Sequence, residues 1–311
     1  MKGLRILVTG GLGYAGGWIS SFLARAGHEV FVTSRRTEQP DLGAPYTLVP
    51  MDVATPDMPL PPGLDVVVHA ASLNEAHLPD YPRQALLVNA LGARNLLAAL
   101  AEASASAAPP LFIYCSTFHV YGKSEGRIGE DSPVAPVGDY ALTHFFAEEY
   151  CRSAMRLTGQ PCIILRLTNG YGAPKTPVDS KWHLLVNDLC RQAVTQGAIT
   201  LRSSPALMRD FVWLGDMAKT VAALLERRDL AGRLFNVASG SSLAIGDVAR
   251  RIATVAEGLL GRAVPLRCEQ PGGKAGALLQ VDNRALQKAL GLSFEDRLEQ
   301  EAAAVMRLLL P

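Results

Sequence analysis

Three glycines at intervals of three, Gly10, Gly13 and Gly16, follow an apolar run at residues 4–8 and open a helix-like stretch at residues 14–26. Each glycine answers a separate steric demand. Gly10 permits a tight turn, Gly13 lets backbone approach a pyrophosphate, and Gly16 lets helix and strand pack closely. The amides of this loop, those of Tyr14 and Ala15 among them, sit where the helix dipole is positive and favour a phosphate. The feature predicts a strand–turn–helix unit that opens a parallel sheet and holds a dinucleotide.

The rest of the chain agrees with that start. Short apolar runs at residues 30–33, 46–49, 66–69, 111–115 and 162–165 read as strands, with helical patterns at 84–102 and 140–157. Strands bounded by Gly and Pro and separated by helices imply a parallel sheet covered on both faces, a doubly wound α/β (Rossmann) architecture. Beyond residue 169 the order loosens into helices near 182–196, 216–227 and 245–259, strands near 211–214 and 234–237, and a C-terminal helix after residue 293. The expected division is a dinucleotide-binding domain at 1–168 and a smaller α/β substrate cap at 169–311. Segments around 209–240 are expected to return to the first lobe.

Composition removes other classes. With 311 residues, 49% hydrophobic, and Lys plus Arg at 30 against Asp plus Glu at 29, the chain is neither disordered nor electrostatically suited to nucleic acid or an acidic membrane. No uninterrupted apolar stretch reads as a bilayer span. The five cysteines form no CxxC pair or metal-ligand spacing, so no metal and a reduced, cytoplasmic setting are expected.

The end of the second strand bears on cofactor choice. Where an acidic residue would bind a ribose 2′-hydroxyl, the chain has Ser34, Arg35 and Arg36. Guanidinium groups bind phosphate well, which favours NADP over NAD; the same arginines also read as solvated loop charges.

Thr9 to Gly16, Asp52-Val53, the His69-Ala70-Ala71-Ser72 segment, the mid-helix segment from Asn89 to Leu96, the segment Cys115 to Gly122 containing Ser116 and Thr117, and Tyr140 occur in an order that resembles the extended short-chain dehydrogenase/reductase family, in its nucleotide-sugar epimerase, dehydratase and reductase branch. Arg166 to Gly172 and Arg209 to Asp216 resemble that branch's diphosphate-holding segments. The resemblance implies cofactor contacts from Asp52, Val53, Ala70, Ala71, Ser72, Asn89 and Ser116. It further implies a catalytic hydroxyl at Thr117, an acid/base at Tyr140, and substrate contacts from Asn169, Arg209 and His119. The Lys274 loop and the cap residues Lys181, Trp182 and His183 are weaker substrate-side candidates. A homodimer built from the 84–102 helix and the Tyr140 helix is also implied, with Leu86, Leu87, Leu96 and Leu97 as interface or core residues.

Two positions depart from the family pattern. The family's Tyr-x-x-x-Lys is here Tyr140-Ala141-Leu142-Thr143-His144, which puts His144 on the face where the lysine would stand. His144 is expected to face the cofactor. If neutral, it would assist ionisation of Tyr140 less than lysine does. The family's 4,6-dehydratases carry Asp-Glu directly after the hydroxyl residue, and Phe118-His119 replaces that pair. Phenylalanine cannot carry a proton, so 4,6-dehydration is disfavoured. His119 facing the substrate and His119 facing the cap remain equal alternatives.

The expected activity is hydride transfer at C4 of a nucleotide-linked sugar with NADP or NAD, as an epimerase or as a 4-keto reductase. The rival is a nucleotide-binding sensor or scaffold of the same fold with weakened catalysis.

Overall fold

The computed structural model describes residues 3–74, 80–103, 108–176, 181–270 and 277–310. Seven parallel strands form its centre: β1 (Arg5–Thr9), β2 (Glu29–Ser34), β3 (Thr47–Pro50), β4 (Val66–His69), β5 (Leu111–Thr117), β6 (Cys162–Leu167) and β7 (Leu234–Val237). Their order across the sheet is β7-β6-β5-β4-β1-β2-β3. Ile6, Leu7 and Val8 of β1, Val66 to Val68 of β4, and Leu111 to Ile113 of β5 are buried with no measurable exposure or nearly none. Continuous apolar runs of this kind mark strands covered on both faces. One face packs Ile19, Leu23, Met217 and Val221, and the other packs Ala93, Leu96, Leu100, Ala147 and Cys151.

The topology reverses at β1, whose neighbours are β2 and β4, so chain leaving the carboxyl ends of these strands frames a crevice. Helix α1 (Tyr14–Arg25) starts at that crevice. A second helical stretch, Tyr81–Ala103, includes a π-helical turn at Leu86–Leu91. By length and composition it passes as apolar enough to cross a membrane, but Arg83, Arg94 and Glu102 interrupt it, and it packs on the sheet through Ala93, Leu96, Leu97 and Leu100. Leu96 and Leu97 are therefore core residues, whereas Leu86 is exposed.

A third core gathers helices Leu185–Gln196, Ile245–Leu260 and Leu298–Arg307 beyond the carboxyl edge of the sheet. The strand Met208–Trp213 begins in this cap, and the helix after it, Leu214–Leu224, packs back on α1. A helix at Arg284–Leu290, not anticipated from the sequence, contributes Leu286 to the sheet core. The cap is tied to α1 by aromatic contacts. Trp18 and Trp213 meet edge to face at 5.6 Å, and Trp18 Nε1 donates to the Ala173 carbonyl at 3.0 Å. Glu301 accepts from both Trp213 Nε1 and the Ala173 amide.

Candidate active site

A cleft of about 760 Å³ lies between the carboxyl edge of the sheet and the cap. Its floor is the turn after β1. Gly10 has a φ of +65°, and a Cβ there would come within 2.6 Å of the Ala71 Cα. A Cβ on Gly16 would collide with the Gly10 carbonyl, so α1 can approach β1 this closely only without side chains. Gly13 caps α1, and no side chain caps the helix, which leaves its first amides directed at the cleft. These features fit a dinucleotide pyrophosphate.

The other cofactor candidates occupy strand ends around this floor. Ser34 ends β2 with Arg35 and Arg36 after it, Asp52 and Val53 follow β3, and Ala70, Ala71 and Ser72 follow β4. Tyr14 and Ala15 also line the cleft. The Tyr14 hydroxyl, however, donates to the Gly172 carbonyl and pairs with Asn187 Oδ1, so this side chain couples α1 to the cap. Asn89 does not line the cleft. It is buried in the π-helical turn, where it accepts from the Leu73 amide at 2.7 Å and donates to the Leu73 carbonyl at 3.1 Å. Its action on a cofactor is thus through the Leu73–Asn74 wall that it holds, a correction to the direct contact expected.

Thr117 ends β5, and its Oγ1 accepts the His119 amide at 3.2 Å, which starts a short 3₁₀ turn. Tyr140 lies in the first turn of the helix Gly138–Thr158 and is half-buried on the same cleft wall. The His119 ring opens onto the cleft and meets the Tyr140 ring edge to face at 5.9 Å. Desolvation against the wall, and then the Arg209 charge, hold the His119 pKa below the usual histidine value. Asn169 and Arg209 also line the cleft. Arg209 forms no ion pair with Asp210 among the described residues. Asp210 is buried and accepts from Thr168, Ser239 and Gly240. Lys181 and His183 stand in the lining, and the Lys274 loop lies outside the described residues.

His144 is placed differently from the expectation. It does not line the cleft but sits behind it, 2% exposed, with its ring 4.6 Å from that of Tyr140. Nε2 lies 3.0 Å from Ser72 Oγ and Nδ1 lies 2.7 Å from the Tyr114 hydroxyl. Burial, then the charges of His69 and His119, push its pKa down to about 3, so it is neutral at pH 7. A neutral imidazole has one N–H and one lone pair, so it donates to one of these hydroxyls and accepts from the other. The physical reason for the correction is length. Lysine is the longer side chain, whereas both nitrogens of the shorter ring are used up by the Ser72 and Tyr114 hydroxyls.

Glu148, one further helical turn along, escaped the sequence reading although Tyr140, His144 and Glu148 share an i, i+4, i+8 face. Its fully buried carboxylate accepts two bonds from Arg166, at 2.8 and 2.6 Å, and one from the Ser116 hydroxyl at 2.7 Å. Ser116 is therefore held from behind while it lines the cleft. Tyr114 was also missed, because one tyrosine in an apolar strand gives no signal of a buried polar partner.

Fold and cleft together define a Rossmann-type dinucleotide-binding protein with a cap over the strand ends. The chain belongs to the NAD dependent epimerase/dehydratase family, whose sequence model matches residues 6–238. Among curated proteins it is 26% identical over 230 residues to an uncharacterized UDP-glucose epimerase, YtcB, of Bacillus subtilis (strain 168), covering 71% of this chain and 67% of that one. It is 27% identical over 264 residues to a GDP-6-deoxy-D-mannose reductase of Pseudomonas aeruginosa, covering 81% and 80%. A UDP-glucuronic acid decarboxylase of Danio rerio is 27% identical over 237 residues, and the match spans only 54% of that longer enzyme. Solved structures confirm the fold. A UDP-galactose 4-epimerase superposes with a TM-score of 0.81 at 20% identity over 99% of this chain and all of that one. A UDP-glucuronic acid 4-epimerase from Bacillus cereus in complex with NAD gives 0.76 at 20% identity over 97% and 94%. The matching family is described as NAD dependent, and the preference for NADP drawn from Arg35 and Arg36 gains no support from it.

Proposed function

We propose that this enzyme transfers hydride at C4 of a nucleotide-linked hexose, with Tyr140 as acid/base and Thr117 orienting the reacting oxygen. The observation that carries the reading is that Thr117 and Tyr140 stand on one wall of the cleft whose floor is the Gly10–Gly16 turn. When bound, the dinucleotide supplies the hydride acceptor or donor at the sugar carbon. The amides at the start of α1 would hold its pyrophosphate, and Ser34, Arg35, Asp52 and Val53 its adenosine end. Arg35 and Arg36 support acceptance of a 2′-phosphate as well, so NAD and NADP both belong to the proposal.

Arg209 opposes the charge of the substrate diphosphate, and Asn169 is positioned beside it. The Tyr140 phenol exchanges the sugar hydroxyl proton. An ordinary phenol near pKa ~10 is short of its ionised form by roughly 4 kcal/mol at pH 7. Neutral His144 contributes no cation toward closing that gap; it braces the Tyr140 ring and the Ser72 hydroxyl instead. Proton donation by neutral Tyr140 is thereby less penalised than proton removal, which favours reduction of a 4-keto sugar over oxidation of a hydroxyl. Tightly retained cofactor seen by absorbance in the purified protein would instead support epimerisation.

Tyr140→Phe is the direct test: turnover of a nucleotide-sugar panel should fall at least 100-fold while dinucleotide binding stays within about threefold. Equal turnover in the variant would overturn the assignment. With five free thiols, we place the enzyme in the reducing cytoplasm. We further propose a homodimer through the exposed Leu86, Leu142 and Phe146.

A further inference from the structure

Ser72 is exposed in the cleft yet held from three directions. On one side the Ala70 amide donates to the Thr9 carbonyl at 3.1 Å, and Ala71 packs against Gly10. On the other, Asn89 pairs with the amide and carbonyl of Leu73. Behind it stands His144, whose Nε2 is 3.0 Å from Ser72 Oγ. The hydrogen bonds here run in one direction. The Tyr114 hydroxyl is buried, and His144 Nδ1 is its one hydrogen-bond partner among the described residues. If the phenol accepted from Nδ1–H, its own proton would be buried without an acceptor, which costs more than an unused lone pair. Tyr114 therefore donates and Nδ1 accepts. The single N–H of the neutral imidazole is then on Nε2 and donates to Ser72 Oγ. That oxygen has no other partner among the described residues, so the Ser72 O–H is left to donate into the cleft.

We infer that Tyr114 and His144 set Ser72 as a one-way hydrogen-bond donor to the cofactor, its hydroxyl proton going to a hydroxyl oxygen of the ribose between pyrophosphate and nicotinamide. The inference rests on the dinucleotide reading of the cleft given above. Position selects the ribose. Ala71 abuts the Gly10 turn, and the His144 ring that bonds to Ser72 also meets the Tyr140 ring edge to face at 4.6 Å. Ser72 thus stands between the turn that fits a pyrophosphate and the phenol assigned to proton exchange. One ribose is the unit of a dinucleotide that joins those two ends. Tyr114 and His144 do not line the cleft; they are positioning residues that fix which way the serine proton points.

Calorimetry with three ligands and no sugar is the test. ADP carries the adenosine and both phosphates, ADP-ribose adds the second ribose, and NAD adds the nicotinamide. Ser72→Ala, a change at an exposed side chain, should weaken NAD and ADP-ribose about fivefold or more and leave ADP within about twofold. Tyr114→Phe, behind the cleft, should weaken the same two ligands about threefold or more and again spare ADP. Equal losses for ADP, or an unchanged ADP-ribose affinity in Ser72→Ala, would overturn the inference. A merely structural role for Tyr114 would lower the melting temperature and all three affinities together. The direction of the chain is read separately by 15N NMR of histidine-labelled protein, with the His144 signals assigned by their loss in His144→Gln. Wild type should show a bare Nδ1 and a protonated Nε2, and the opposite tautomer would also overturn the inference. Turnover enters none of these readouts, so failure of the C4 reading is seen apart from failure here.

Discussion

The Tyr114 hydroxyl and His144 Nδ1 lie 2.7 Å apart in a fully buried pocket, and that contact decides what the residue four positions after Tyr140 can do. On the far side of Tyr114, the His69 ring stacks at 5.7 Å, and its Nδ1 is 2.6 Å from Thr9 Oγ1. Two neutral histidines and one tyrosine thus form a polar core directly behind the cleft.

That core makes stability depend on acid. Burial pushes the His69 pKa down to about 4 and that of His144 to about 3, against ~6.5 in the unfolded chain. Between those values the unfolded chain binds more protons, so stability is fully present above pH ~6.5 and is lost as pH falls toward 4 and below. The limiting slope is about 1.4 kcal/mol per pH unit for each ring. Urea midpoints measured from pH ~7.5 to ~5 should decline, and His69→Gln should flatten the decline relative to wild type. A flat wild-type profile would show that these rings take up protons in the folded state.

The glycine turn predicts a contrast between adjacent residues of one helix. Gly16→Ala drives a methyl into the Gly10 carbonyl and should weaken dinucleotide binding at least tenfold by calorimetry, with a lower melting temperature. A methyl at Gly17 meets the Lys175 side chain at 3.4 Å and the Gly11 carbonyl oxygen at 3.9 Å, both ordinary contacts. Gly17→Ala should bind normally and gain up to about 1 kcal/mol from helix propensity. Similar losses in both would mean that the helix, not the glycine contact, sets the site.

How much of this was legible in the sequence follows the range of each interaction. The β4 and β7 runs, residues 66–69 and 234–237, were read to the residue, because an apolar stretch between turn formers is a local signal. Short strands such as Gly126–Ile128 and Leu279–Val281 pair with each other across more than 150 residues and have no local pattern to reveal them. In the site, Thr117, Tyr140 and Arg209 were found from motif order and do line the cleft. His144 and Asn89 were found as positions but misjudged as contacts, since their direction depends on Tyr114, Ser72 and Leu73, partners that no spacing in the chain specifies.

At the adenosine end, Arg35 and Arg36 are exposed in the cleft lining. Replacing both by alanine should lower NADP affinity at least tenfold while leaving NAD within about twofold, and the NADP loss should shrink as salt rises. Calorimetric titration of each dinucleotide at two ionic strengths checks both halves. Equal loss for NAD and NADP would assign the arginines to the adenine or pyrophosphate instead of a 2′-phosphate.

The Glu148–Arg166 pair predicts a defect that acid repairs. Arg166 is 3% exposed, its guanidinium stacks 4.5 Å from the Tyr121 ring centroid, and the pair is bidentate. Arg166→Met would leave the Glu148 carboxylate buried with Arg152, at 3.3 Å, as its one cationic partner among the described residues. Removing one member of a buried pair costs about 3–5 kcal/mol. A carboxylate buried without its partner is costly only while charged, so acid should relieve the damage in that variant. The deficit relative to wild type should therefore be largest near neutral pH and narrow toward pH ~5. Arg166→Met with Glu148→Gln, which removes the stranded charge, should recover part of the loss at neutral pH and show no such narrowing. A deficit independent of pH in the single variant would locate the damage in lost packing against Tyr121.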